Sequence, residues 1–111
     1  MESNYKMYIS SMKSTILSID PSISDLTITG WMKDISDEFP YYRHTNPNVM
    51  AISMYIAQKY PGMFNRKEAM NLVLRTSFNY TGKKNTADVV VDVARYWKRL
   101  TNTQRSMPSQ I

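Results

Sequence analysis

Residues 46–64, NPNVMAISMYIAQKYPGMF, contain the signals that decide the fold. Asn46 can accept a hydrogen bond from a free backbone N–H as an N-cap, and Pro47 suits the first helical turn, where its missing N–H costs nothing. Pro61 cannot continue a helix, so the pattern predicts a helix over about residues 47–60. The apolar residues between these signals surround nearly the whole helix, which is typical of a central, buried helix. We therefore expect the other helices to pack around it.

The length and composition of the chain exclude several classes of protein. A chain of 111 residues suits one domain that can bury a core without the help of disulfides or metal ions. It has no cysteine, which excludes disulfides and thiolate metal sites, and its single histidine, His44, excludes a histidine-rich metal site. No apolar run approaches the roughly 20 residues of a membrane span, and MESNYKMY lacks the features of a signal peptide. We expect an intracellular protein with no cofactor and no membrane partner.

The spacing of apolar residues before the central helix predicts two further helices. The first covers about residues 4–19 and ends at Asp20-Pro21, because the residue before a proline is pushed out of helical conformation. Residues 20–29 are interpreted as a connection, with a strand over 26–29 as an alternative. The second helix covers about residues 30–39 behind an N-cap at Thr29. Its predicted buried residues are Trp31, Met32, Ile35 and Phe39.

Two more helices are predicted after the central one. Asn65 and Glu68 have the spacing of a capping box, which predicts a helix from Asn65 to about residue 78. Residues 80–85 are interpreted as a turn, and Asn85 or Thr86 as the N-cap of a fifth helix over about 87–100. We expect residues 1–101 to form one all-α domain of five helices and residues 102–111 to form a tail. The core residues predicted for the fifth helix are Val89, Val90, Val93, Trp97 and Leu100.

The acidic and histidine residues give little support for catalysis. Asp34, Asp37 and Glu38 belong to one predicted helix, whereas glycosidase chemistry needs a carboxyl pair that flanks a cleft. His44 could exchange a proton with Asp37 or Glu38, but it has no neighbouring nucleophile. The chain has three glycines, so it has no glycine-rich phosphate loop. We expect no catalytic residue and no metal site.

The charge of the chain is unevenly distributed. Residues 1–44 contain four Lys and Arg against six Asp and Glu, a net charge of −2. Residues 45–111 contain ten against three, a net charge of +7. A basic half of this kind can attract nucleic acid or an acidic protein surface. The alternative is a solvated face whose charge serves only solubility and packing.

Five cations near the predicted fifth helix are the candidate binding residues. They form two groups about 20 Å apart along the helix, one before its start and one near its end. Contacts from such residues to phosphates give salt-sensitive binding, and the interleaved Tyr80 and Tyr96 could stack on unpaired bases. The predicted nucleic-acid or acidic-partner residues are Lys83, Lys84, Arg95, Lys98 and Arg99.

Residues 47–61, PNVMAISMYIAQKYP, resemble the third, central helix of the cyclin box, which occurs in cyclins and in the repeats of transcription factor IIB. Pro47, Ala51, Tyr55 and Ala57 match that helix in kind. NRKEAMNLV and NTADVVVDVARYWKRL resemble the last two helices of a transcription factor IIB repeat, where basic residues line the final helix at the DNA. The resemblance implies a single cyclin-box-like repeat. The zinc ribbon of that family is missing, and Ile-Ser-Met replaces the alanine-rich centre of its central helix.

The amino-acid composition of the chain, which is rich in Asn, Lys, Ile, Met and Tyr, resembles that of small proteins of large nucleocytoplasmic DNA viruses. The segment FPYYRHTNPNVMA is an example. Two roles are implied. One is a non-enzymatic binding module in transcription or genome handling that contacts DNA, RNA or an acidic protein. The other is a structural virion or capsid assembly protein with no nucleic-acid role. Either role predicts protein subunits of a larger assembly as partners, in the host cytoplasm, the nucleus or the virion.

Overall fold

The computed structural model describes residues 2–36, 39, 45–76 and 83–105. This part of the chain is all-α, as predicted, and contains no strand. The alternative of a strand over residues 26–29 is wrong, because these residues are helical. The helices are α1 (Glu2–Ile19), α2 (Asp25–Ser36), α3 (Pro47–Lys59), α4 (Arg66–Thr76) and α5 (Lys83–Arg105).

Helix α3 is the centre of the fold, as the sequence predicts, and it contacts α1, α4 and α5. Asn46 caps it, accepting from the Asn48 N–H at 2.8 Å and the Val49 N–H at 3.4 Å. The helix ends before Pro61, and Gly62 follows with a φ of 89°, a left-handed conformation that glycine adopts without strain. Every residue from position 49 to position 57 is buried. Helix α3 therefore has no exposed side through its middle turns.

Helix α2 begins earlier than predicted, so the predicted connection over 20–29 is wrong at 25–29, and the cap at Thr29 is wrong as well. Ser24 Oγ accepts from the Thr27 N–H at 3.1 Å, and the Ser24 carbonyl accepts from the Ile28 N–H at 3.2 Å. Ile28 is completely buried, and this burial outweighs the low helix propensity of the residues around it, including Gly30. Met32, Ile35 and Phe39 are buried as predicted, and Trp31 is half-buried.

The connection between α1 and α2 is held by Asp20, directly after the predicted end of α1. Its Oδ1 accepts from the Ser22 N–H at 3.1 Å and from the Ser22 hydroxyl at 2.6 Å, and its Oδ2 accepts from the Tyr55 hydroxyl at 3.3 Å. The bonds from Ser22 are the main reason why the pKa of Asp20 is lowered. An ion pair of 3.1 Å between Lys13 and Asp25 joins the two helices on the outside.

Helix α4 begins as predicted and is described as far as Thr76; the last two residues of the predicted helix, 77 and 78, lie outside the described part. Asn65 Oδ1 accepts from the Glu68 N–H at 3.1 Å, which is the first half of the predicted capping box. Ala69, Leu72 and Val73 face the core.

Helix α5 is longer than predicted at both ends. It begins at Lys83 rather than Ala87, so the predicted turn over 80–85 is wrong at 83–85 and neither Asn85 nor Thr86 is the cap. Thr86 is completely buried, and its carbonyl accepts from Ser53 Oγ of α3 at 3.4 Å. The helix ends at Arg105 and so includes the first four residues of the predicted tail. The division into a domain and a tail remains a prediction, and residues 106–111 lie outside the described part.

The core lies where α1, α4 and α5 meet α3, and the buried residues of α2 belong to the same cluster. Two edge-to-face aromatic pairs tie α5 to the α2 region: Trp97 with Trp31, at 6.5 Å between ring centroids, and Tyr96 with Phe39, at 5.8 Å. The largest fully buried side chains are Met12, Ile16, Ile28, Ile35, Met50, Met54, Ile56, Val73, Val90, Val93 and Thr86.

The stability of the fold should fall at high pH because of Tyr8. Burial raises the pKa of Tyr8 to about 12, and its hydroxyl donates to the Thr45 carbonyl at 2.8 Å. Since this pKa lies above the value of about 10 for an unfolded tyrosine, the neutral phenol stabilises the fold below pH of about 10, and that contribution is lost as the pH rises through about 12. In urea titrations across this range we expect a steeper fall for the wild type than for Tyr8→Phe. Parallel curves would contradict the assignment.

Candidate binding surface on the fifth helix

Three of the five predicted binding residues lie together on the second half of α5. Arg95, Lys98 and Arg99 are exposed, within about 6 Å along the helix axis. They are exposed because the apolar residues of α5 lie on another side of the helix, which packs against α3 and α4. Among residues 85–100 of α5, whose burial is described, the buried ones are Thr86, Ala87, Val90, Val91, Val93, Ala94, Tyr96 and Trp97.

The other two predicted residues lie at the far end of the same helix. Lys83 and Lys84 are the first two residues of α5, and their side chains are outside the described part. The helix rise separates them from the Arg95–Lys98–Arg99 group by about 16–24 Å. The helix therefore brings three of the five cations together and keeps the other two at a distance.

Arg95 borders a groove between α5 and the start of α4. The groove has a volume of about 540 Å³. Its charged residues are of both signs, with Arg66 and Arg95 against Asp88 and Asp92, so its lining has no net charge. The residues that line it are Phe64, Asn65, Arg66, Asp88, Val91, Asp92 and Arg95.

An ion pair joins the two walls of this groove. Arg66 Nη2 lies 2.5 Å from Asp88 Oδ1, and Arg66 Nε donates to the same oxygen at 2.6 Å. In the described part of the chain, Asp88 Oδ2 has no donor, and neither Asp92 nor Arg95 has an ion pair or a side-chain hydrogen bond. The groove thus presents one acid and one base that can take a partner's charges.

Lys98 and Arg99 point to different sides of the helix. Lys98 Nζ lies 5.0 Å from the centroid of the Phe64 ring, and Arg99 Cζ lies 6.0 Å from that of Tyr96. Both distances are in the range of cation–π contacts. Lys98 therefore extends the groove side of the surface, while Arg99 belongs to the outward side.

The proposed stacking role of Tyr96 is wrong, because its ring is buried. Only 8 % of Tyr96 is exposed, and the ring packs against Phe39 and under Arg99. Tyr80, the other tyrosine considered for stacking, lies outside the described residues. Base stacking therefore finds no support at Tyr96.

Sequence reasoning missed the acidic half of this surface. The candidate binding residues predicted from the sequence include neither Asp88 nor Asp92, and the ion pair of Arg66 with Asp88 joins residues 22 positions apart. No local pattern reveals such a pair. The spacing of Asp88, Asp92, Arg95 and Arg99, however, can be read directly from the sequence.

The residues considered for catalysis give no assembled site in the described part of the chain. Asp34 is exposed on α2, while Asp37, Glu38 and His44 lie outside the described residues. Within the described ranges, no group of three or more His, Asp or Glu side chains could hold a metal ion. None of the helices described is long and apolar enough to cross a membrane.

No protein family model, curated protein or solved structure matches this chain. The resemblances to the cyclin box and to viral proteins therefore remain predictions.

Proposed function

We propose that this protein is a non-enzymatic helical binding module of a multi-subunit assembly, and that α5 contacts an acidic partner through Arg95, Lys98 and Arg99. The observation that carries the proposal is the exposure of these three cations within little more than one helical turn of α5. Arg95 and Arg99 lie on the side opposite the core, and Lys98 lies beside the groove, over the ring of Phe64. Arginine is enriched at protein interfaces, where its planar guanidinium group can bind a carboxylate through two parallel hydrogen bonds.

The surroundings of these cations favour a protein over a nucleic acid as the partner. Asp88 and Asp92 lie within two turns of Arg95 on the same side of α5, and they would repel a phosphate backbone. A protein surface can place a cation opposite these acids and a carboxylate opposite the cations. Phe64 and Val91 add apolar area to the same groove.

Nucleic acid is the second candidate. The net charge of +7 over residues 45–111 favours it, as do Lys83 and Lys84 at the start of α5. A third role, a virion assembly protein that uses no charged surface for binding, predicts that neither ligand binds.

A charge reversal with a matched control tests the proposal. Arg95→Glu combined with Lys98→Glu changes the net charge as much as Lys6→Glu combined with Arg75→Glu, and all four residues are exposed. Binding of an acidic peptide and of duplex DNA should be followed by fluorescence anisotropy between about 50 and 200 mM salt. We expect the first pair to weaken peptide binding about tenfold and the control pair to weaken it by less than about threefold.

The outcomes separate the three roles. Peptide binding that depends on Arg95 and Lys98 supports the protein-docking role. DNA binding that depends on them supports the nucleic-acid role. In that case the slope of the logarithm of the binding constant against the logarithm of the salt concentration should be smaller by about two in the variant. Equal losses in both variant pairs, or no binding of either ligand at low salt, would refute a specific role for these cations.

A further inference from the structure

The outer side of α5 carries four charged residues with heptad spacing. Asp88, Asp92, Arg95 and Arg99 follow one another at intervals of four, three and four residues. At about 100° per residue they fall within about 60° of one another, directly opposite the buried side of the helix. Asp92, Arg95 and Arg99 are exposed and Asp88 is half-exposed. They form a continuous stripe about 16 Å long.

The order of the charges makes this stripe complementary to itself. Two acids are followed by two cations, so a parallel copy of α5 would bring like charges together. In an antiparallel copy, with the twofold axis between Val93 and Ala94, Asp88 faces Arg99 of the second copy and Asp92 faces Arg95 of the second copy. The axis repeats both pairs, which gives four ion pairs of opposite charge. Such self-complementarity is what a twofold, isologous interface requires.

We propose that two copies of this chain associate through an antiparallel pair of α5 helices. The inference rests on the proposed function, since it names Asp88 and Asp92 of a second copy as the acidic surface that Arg95 and Arg99 bind. Within one copy, Asp92 and Arg95 are exposed and make no ion pair in the described structure. Both contacts from Arg66 go to Oδ1 of Asp88, so its Oδ2 remains open to a second donor in the described structure.

The groove beside the stripe gives the second copy more than charge to contact. Its volume of about 540 Å³ and its apolar residues Phe64 and Val91 can receive side chains that flank the stripe of the second copy. The charged pairs would lie near solvent, where ion pairs are individually weak and screened by salt. The dimer should therefore be weak, with a dissociation constant on the order of 10 μM or above, and should dissociate at high salt.

A charge swap at the centre of the stripe tests the dimer and its register. Asp92→Arg brings two pairs of like charges together, and so does Arg95→Asp, whereas the double variant restores opposite charges at both places. Both residues are exposed and make no ion pair within the described structure, so the fold should persist, which circular dichroism checks. Sedimentation equilibrium should be measured from about 1 μM to about 1 mM protein, at about 50 and 500 mM salt.

We expect each single variant to weaken self-association of the wild type by about tenfold or more, and the double variant to return to within about threefold of the wild type. A wild type that stays monomeric at every concentration would overturn the proposal. So would a dimer that the single variants leave unchanged, or one that the double variant fails to restore.

The same variants distinguish this inference from the proposed function. If α5 simply binds acidic partners, Asp92→Arg should tighten binding of an acidic peptide, because it adds a cation, and Arg95→Asp should weaken it. Under self-association both single variants lose the dimer. A monomeric protein that binds the peptide in this pattern would leave the proposed function standing and remove the dimer. A dimer that obeys the charge swap but binds no peptide would keep the inference and limit the function to self-assembly.

Discussion

Replacing Ile52 with alanine should lower the free energy of unfolding by about 2–5 kcal/mol. Ile52 lies at the middle of α3 and is only 2 % exposed. Its neighbours on every side of the helix are buried as well, so the surrounding side chains have little freedom to fill the space that the substitution leaves. The loss therefore combines the transfer of the missing methyl and methylene groups with the cost of a cavity.

Leu26→Ala provides the control for this substitution. Leu26 is 85 % exposed in the first turns of α2, so its truncation removes little buried area and should change stability by less than about 0.5 kcal/mol. Urea denaturation followed by circular dichroism measures both variants. A loss below about 1 kcal/mol for Ile52→Ala would mean that α3 is not the central helix of the protein.

The position of α3 was predictable because its signals are local. Asn46 and Pro47 mark its start and Pro61 its end, and the apolar residues between them leave no polar side. Each of these features acts through a few neighbouring residues, which a sequence displays directly. The same holds for Asn65, whose side chain accepts from the backbone three residues later.

The start of α2 was missed because two caps compete within six residues. Thr29 before Gly30 is a plausible helix start, and Thr-Ile-Thr-Gly has a low helix propensity. Ser24 prevails because a helix that begins there carries Ile28 into the core, where it is completely buried. A tertiary contact thus decides between two local signals, and the sequence does not state that contact.

The early start of α5 has a similar cause. Asn85 and Thr86 have the side chains of caps, but Thr86 is buried against α3, and its carbonyl accepts from Ser53. The polar residue serves the contact between two helices rather than the end of one.

The candidate surface was likewise predictable in one part and not in the other. Exposure of Arg95, Lys98 and Arg99 follows from the helical pattern, whereas the ion pair between Arg66 and Asp88 depends on how α4 crosses α5.

The second large effect is expected at Trp97, where two substitutions should give very different results. Trp97 is 8 % exposed and packs edge-to-face against Trp31. Its indole Nε1 is buried and has no hydrogen-bond partner among the residues that the structure describes. Trp97→Ala should therefore cost about 3–5 kcal/mol of unfolding free energy, since it removes a large buried ring.

Trp97→Phe should cost far less than alanine at the same position. Phenylalanine keeps an aromatic ring against Trp31, and it removes a buried N–H whose lost hydration costs about 1–3 kcal/mol. This gain offsets much of the smaller volume, so the variant should lie within about 1 kcal/mol of the wild type. Both free energies can be measured by urea denaturation. The slope of the unfolding free energy against urea concentration should be the same in wild type and variants, which checks that each variant unfolds in two states. If phenylalanine destabilises as much as alanine, the indole N–H must have an acceptor in solution, and its hydrogen bond would then be a main contribution of Trp97 to the fold.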